Sequence, residues 1–330
     1  MTTVRSTLRA ARLAAPAAVA ALVLAACGGT SDAGEAASSE PTGSASASGP
    51  ITVEHAQGST ELEGTPEKVF VFDFAAAAVM QEIGVEIDGI PKNNPPAGFE
   101  DLAADEDVVD VGTLFEPDYE TIAAEAPDLI VVAGRSAAAY PELEKIAPTV
   151  DLSNDWADNV ASSEENALKI GKIFGKTHEA QQLVDELDAS VAEVAGKAEG
   201  AGDALIVLTS GGKVTAYGPG GRFGFLHDQL GFAPAAEVTE EAQHGQAISF
   251  EFIAENDPEW IFVIDRDAAT GEGSEAAEQV MDNELVNQTK AAQDDRIVYV
   301  DPTSWYIMGG GVVALQQIAD DVSAVLDEKA

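Results

Sequence analysis

Three arginines stand where a parallel α/β chain would expose its ligand-facing loops. Arg135 and Arg266 each follow directly on a short apolar run, Leu129 to Ala133 and Trp260 to Ile264. Arg222 sits in the glycine loop Tyr217-Gly218-Pro219-Gly220-Gly221-Arg222-Phe223-Gly224. In open parallel sheets ligands lodge beyond the carboxyl ends of the strands, where the βα loops converge. A guanidinium is a planar, permanently charged fork that grips carboxylate, phosphate or catecholate oxygens, and it is less costly to desolvate than an ammonium. Arg296 opens the run Ile297 to Val300 and so falls at the opposite edge, on the surface. His244 lies in a loop before Ser249, and Trp305 and Tyr306 follow the last strand, where two adjacent aromatics either wall a ligand or pack in the core. A tyrosine oxygen is a hard donor suited to ferric iron, and neighbouring cations favour its ionised form. The set points to an anionic ligand, unless each arginine is paired with an acid such as Asp265 or Asp267.

These cations stand out against an acidic background. The 330 residues include 58 Asp and Glu against 17 Lys and Arg, a formal charge of -41. Polyanions such as nucleic acids are therefore repelled over most of the surface. With 45% apolar residues the chain can bury one large core or two ordinary ones, and a single cysteine excludes an internal disulfide framework or a site built from several thiolates. No apolar run reaches the roughly 18 residues of a membrane span.

The lone cysteine ends a leader. Arg5, Arg9 and Arg12 precede the apolar stretch Leu13 to Ala26, which runs into Leu24-Ala25-Ala26-Cys27-Gly28-Gly29. Residues 1–26 resemble a bacterial lipoprotein signal peptide, which implies lipid modification of Cys27 and anchoring at the outer face of the cell membrane. Residues 27–49, rich in Gly, Ser, Ala and acid, read as a disordered tether.

The body then has to position the arginines. From residue 69 onward, apolar runs alternate with helical stretches, as in α/β units with largely parallel strands. Expected strands are 69–74, 85–90, 108–111, 129–133, 204–209, 214–217, 260–264 and 297–300. Thr177 to Glu199 carries Leu183, Val184, Leu187, Val191 and Val194 at helical spacing, with Thr177 as the expected N-cap. A helix of that length runs about 35 Å, enough to cross a lobe. This gives a lobe over 50–165, a bridging helical region over 166–199 and a second lobe over 200–330. Ile122 to Arg135 aligns without a gap on Ile253 to Arg266, each reading helix, proline, acid, strand, arginine. Asp118 and Ser249 are the matching N-cap candidates, and Glu120 and Glu251 fall in the favourable first turns.

Serine-hydrolase, P-loop and zincin motifs are absent, and the loop at 218 has Phe223 where a dinucleotide fingerprint needs its third glycine. Over residues 50–330 the chain resembles the ferric-siderophore-binding lipoproteins of bacterial ABC importers, in particular those for catecholate or mixed catecholate siderophores. Gly221-Arg222-Phe223-Gly224, His244-Gly245 with Ala247 to Glu251, Phe262 to Arg266, and Asp301-Pro302 with Trp305-Tyr306 carry the likeness. The resemblance implies the type III periplasmic-binding-protein fold: two Rossmann-like α/β lobes with mainly parallel sheets, joined by one long helix and closing only slightly. It implies a monomeric, non-enzymatic receptor with no cofactor of its own, ferric iron arriving within the siderophore. Arg135, Arg222 and Arg266 would form the basic triad, with Trp305 beside them, and His244 and Tyr306 would complete iron coordination when the siderophore supplies only four donors. Glu120 and Glu251 would dock onto the permease that works with its ATPase, although a helix-dipole role explains them equally. The same scaffold could instead hold haem, a corrinoid or a bare metal ion, and an enzyme using His244 with a nearby acid is the rival from another class.

Overall fold

A computed structural model describes residues 49–238, 245–271, 273 and 276–329. Cys27, the leader and most of the tether lie outside them, as does His244.

The first lobe opens with a hairpin, β1 (Ile51–His55) and β2 (Gly58–Leu62), followed by β3 (Val69–Val71), β4 (Gly89–Ile90), β5 (Val109–Asp110), β6 (Leu129–Val132) and β7 (Thr149–Asp151). The last five form a wholly parallel sheet in the order β5-β4-β3-β6-β7. Parallel strands covered on both faces should read as unbroken apolar runs, and every residue of β3 and β6 is buried. Chain order reverses between β3 and β6, so the crevice at their carboxyl ends is the place this topology offers a ligand.

The second lobe holds β8 (Asp203–Ser210), β9 (Lys213–Tyr217), β10 (Ala233–Pro234), β11 (Gln246–Ile248), β12 (Trp260–Asp265) and β13 (Ile297–Tyr299). Its sheet is mixed, in the order β11-β9-β8-β12-β13, with β10 also paired to β8. The antiparallel step from β8 to β9 is made by Gly211 and Gly212, whose φ of 54° and 72° suit a two-residue hairpin loop matched to strand twist.

The repeat is visible in detail. Helices Tyr119–Glu125 and Phe250–Asn256 are each capped by a side chain, Asp118 accepting from the Thr121 amide at 3.0 Å and Ser249 from the Phe252 amide at 3.4 Å. Both end on a left-handed residue that is not glycine, Ala126 and Asp257, before proline and a buried strand.

One helix, Thr177–Ala198, links the lobes, burying Ala180, Val184, Leu187, Val194 and Ala198 against helices Asn159–Ile173 and Val312–Lys329. Its cap is Lys176 and makes no side-chain hydrogen bond, so the expected capping role of Thr177 is not found; Thr177 is the first helical residue. At Gly171 the helix Asn159–Ile173 packs tightly on this one, since a Cβ there would stand 2.5 Å from that of Ala180. Among the described residues no helix is long and apolar enough to cross a membrane.

Candidate functional site

After β13 the chain makes a π-helical turn, Thr303–Ile307, fixed at its start by the Ser304 amide donating to Asp301 at 2.7 Å. Trp305 packs inward, 2% exposed and stacked on Phe262 with ring centroids 6.2 Å apart. The expectation that Trp305 and Tyr306 both face a ligand is therefore corrected. On this turn neighbouring side chains diverge, so Trp305 anchors the core while Tyr306 enters the cleft.

The three arginines converge on Tyr306. Their guanidinium carbons lie 5.3 Å (Arg135), 4.4 Å (Arg222) and 5.9 Å (Arg266) from its ring centre. Arg135 and Arg222 both donate to the Tyr306 carbonyl, at 3.0 and 2.6 Å, and Arg135 also donates to that of Ile307 at 3.2 Å. Arg266 donates from Nε to the Tyr306 hydroxyl at 3.0 Å and from Nη1 to Ser210 Oγ at 3.1 Å. Burial opposes ionisation of the phenol, but the Arg266 hydrogen bond and the three positive charges outweigh it and bring the Tyr306 pKa below the usual tyrosine value. Arg222 is shifted down, chiefly by burial and then by the Arg135 charge.

The alternative of local pairing is settled residue by residue. Among the described residues no carboxylate makes an ion pair with Arg135 or Arg222, whereas Arg266 has Asp267 at 3.9 Å. Asp265 is engaged elsewhere, capping the next helix through the Ala268 amide and accepting from the Ala277 amide.

A cavity of about 450 Å³ opens in front of this cluster, lined among others by Asp73, Arg135, Asn154, Trp156, Arg222 and Tyr306. Arg266 is not in its wall; it stands behind the Tyr306 hydroxyl. Asp73, Asn154 and Trp156 were not expected from the sequence. Asp73 lies just beyond β3 as Arg135 lies just beyond β6, one on each side of the switch point, and the strand-end rule that found the arginine applies to it too. Asn154 and Trp156 follow β7, a strand too short and too polar at its ends to read. Trp156 lies 5.9 Å from the Arg222 guanidinium and closes that end of the cavity.

The cleft is held from both lobes. Asn154 donates to Gly310 O at 2.7 Å, Asn159 to Gly309 O at 3.1 Å and Ser163 to Gly310 O at 2.9 Å. With the Arg135 bonds, the backbone of 306–310 becomes a row of acceptors for the first lobe. A Cβ at Gly311 would stand 2.8 Å from that of Ala75, so only glycine permits this approach. Among the described residues no group of three or more His, Cys, Asp or Glu could hold a metal ion.

Residues 75–303 match the family described as periplasmic binding protein. The chain belongs to that family. Its members are binding proteins, and the chain is accordingly not an enzyme. Two α/β lobes on a single long helix are the family's fold. The chain is 35% identical to the petrobactin-binding protein YclQ of Bacillus subtilis (strain 168), over 94% of this chain and 96% of that one. The structure of BauB, a siderophore-binding protein bound to two molecules of acinetobactin and ferric iron, is 34% identical with a TM-score of 0.77, over 84% of this chain and 98% of that one. The periplasmic catecholate-siderophore binding protein VctP of Vibrio cholerae is 32% identical with a TM-score of 0.76, over 83% and 99%.

Glu120 and Glu251 occupy equivalent exposed positions in the first turns of the repeated helices. The Glu251 carboxyl is held below its usual pKa by its own backbone amide and then by Ser249.

Proposed function

We propose that this protein is an extracytoplasmic receptor for a ferric siderophore bearing catecholate or mixed catecholate groups, tethered to the cell membrane through a lipidated Cys27. Arg135 and Arg222 meet the negative charge of the chelate in the cavity, and Arg266 acts through the Tyr306 hydroxyl. The phenol, primed for ionisation, takes a vacant iron position when the siderophore supplies four donors, with His244 as the second protein donor. The loaded receptor presents Glu120 and Glu251, one on each lobe, to an ABC permease and its ATPase. The names of its relatives agree with this cargo.

The convergence of three guanidinium groups on one tyrosine, two of them without a carboxylate partner among the described residues, carries the reading. Desolvated cations left unpaired are costly, and a site tolerates them when an anion is to complete it. Titration with a ferric bis(catecholamide) should quench tryptophan fluorescence and saturate at one chelate per chain. Replacing Arg135, Arg222 and Arg266 together by Gln should abolish the response in a protein that still unfolds cooperatively. Unchanged affinity in that variant would refute the site.

A further inference from the structure

We propose that Asp73 is a specificity residue: it receives a protonated amine of the cargo, so that the cognate chelate is bipolar, its anionic face on Arg135 and Arg222 and its ammonium on Asp73. The inference rests on the ferric-chelate reading above and adds the chemistry of the ligand's second end.

Asp73 lies two residues beyond β3, at its carboxyl end, and lines the cavity. One oxygen caps helix Phe74–Glu82, accepting from the Ala76 amide at 2.8 Å. Among the described residues no side chain donates to the carboxylate. Arg135, the cation whose field reaches it, places its N–H groups on the Tyr306 and Ile307 carbonyls and forms no ion pair with Asp73. Burial, with the nearby Asp151 charge, raises the Asp73 pKa against the pull of the Ala76 amide, the Arg135 charge and the Ala75 amide.

Capping alone does not require an acid here, and unlike the capping carboxylates Asp118 and Asp265, Asp73 stands in the cavity wall. Ser, Thr or Asn caps a helix as well as Asp, and Ser249 does so in the second lobe. In a cavity whose two arginines have no carboxylate partner among the described residues, a carboxylate weakens every purely anionic ligand. The arrangement is favourable only when the ligand returns a positive donor to that point, where a charge-assisted hydrogen bond in a desolvated site is strong.

The test uses two chelators loaded with ferric iron: a bis(catecholamide) with one secondary amine in its linker, and the analogue with a methylene in that place. The native protein should bind the amine chelate about tenfold tighter, the usual weight of a charged hydrogen bond. Asp73→Asn, which keeps the cap, should erase that preference by weakening the amine chelate and leaving the methylene chelate unchanged or tighter. Asp73→Ser, also a capping residue, serves as the second variant, with thermal unfolding confirming that both fold. Equal loss on both chelates, or no preference in the native protein, would overturn the assignment. If neither chelate binds the native protein, the ferric-chelate reading itself fails, a result distinct from binding without preference.

Discussion

Arg222→Gln separates what the cleft needs from what the fold needs. In the folded chain Arg222 is drawn largely out of water beside Arg135, and what it receives is the 2.6 Å bond to the Tyr306 carbonyl and the ring contact at 4.4 Å. A hydrogen bond to a charged group contributes about 1.5–3 kcal/mol and a desolvated cation–π contact about 2 kcal/mol. Against them, desolvation of an ion costs several kcal/mol. These contributions nearly cancel, so the variant should stay within about 1 kcal/mol of its parent, a change of no more than about 2–4 °C in Tm for a chain of this size. Ligand binding has no such cancellation. A unit negative charge about 4 Å from the guanidinium gains about 4 kcal/mol at an effective dielectric of about 20. The solvent on the open side of the cleft reduces this to about 2–4 kcal/mol, or roughly 30- to 1000-fold in Kd. Fluorescence titration with a ferric bis(catecholamide) measures the loss, with Arg296→Gln as control, because Arg296 lies over Trp260 and away from the cavity. A Kd within fivefold of the parent would show that Arg222 is a packing residue and would refute the electrostatic account.

Further expectations follow from the same geometry. Gly171→Leu should lower stability by about 1–3 kcal/mol, read as a fall in the denaturant midpoint, because its side chain must enter the contact with Ala180. A carboxyl whose folded pKa lies above its unfolded value binds more protons when folded, so through Asp73 the protein loses stability as pH rises from about 4 through the raised value. Asp73→Asn should remove that loss and raise Tm at pH 7.5 relative to the parent, with the difference vanishing in acid; an unchanged or lower Tm at pH 7.5 contradicts it. Glu120→Ala with Glu251→Ala should leave chelate affinity within about twofold, since both carboxylates are exposed and outside the cavity wall, while uptake of labelled iron by cells falls; unimpaired uptake would end the docking assignment.

How much of this was legible in the sequence differs from element to element. Strands with apolar runs of five or more read correctly, because a strand buried on both faces has no other way to be written. The offset that superposes Ile122 on Ile253 also identified the two capped helices and the prolines that follow them, while the left-handed residues Ala126 and Asp257 came only with the structure. Strands β7 and β11, three residues each, offer no periodicity, and with β7 went Asn154 and Trp156. Trp305 and Tyr306 could not be told apart, since which of two adjacent aromatics is buried depends on a turn whose geometry is set by Asp301 and by the packing of Phe262. Thr177 was expected at the cap by its side chain, but Gly175, with φ of 66°, ends the preceding helix so close that Lys176 takes the position.

The carbonyls of Tyr306, Ile307, Gly309 and Gly310 have a consequence for movement. Because four acceptors within five residues of one half are clasped by donors of the other, the halves cannot slide at this seam without surrendering several polar contacts together. Elsewhere the amide of Asn94 spans the divide, reaching Thr270 O at 2.8 Å. Room for guests of different bulk would cost fewer hydrogen bonds at Asn94 than along the clasped carbonyls.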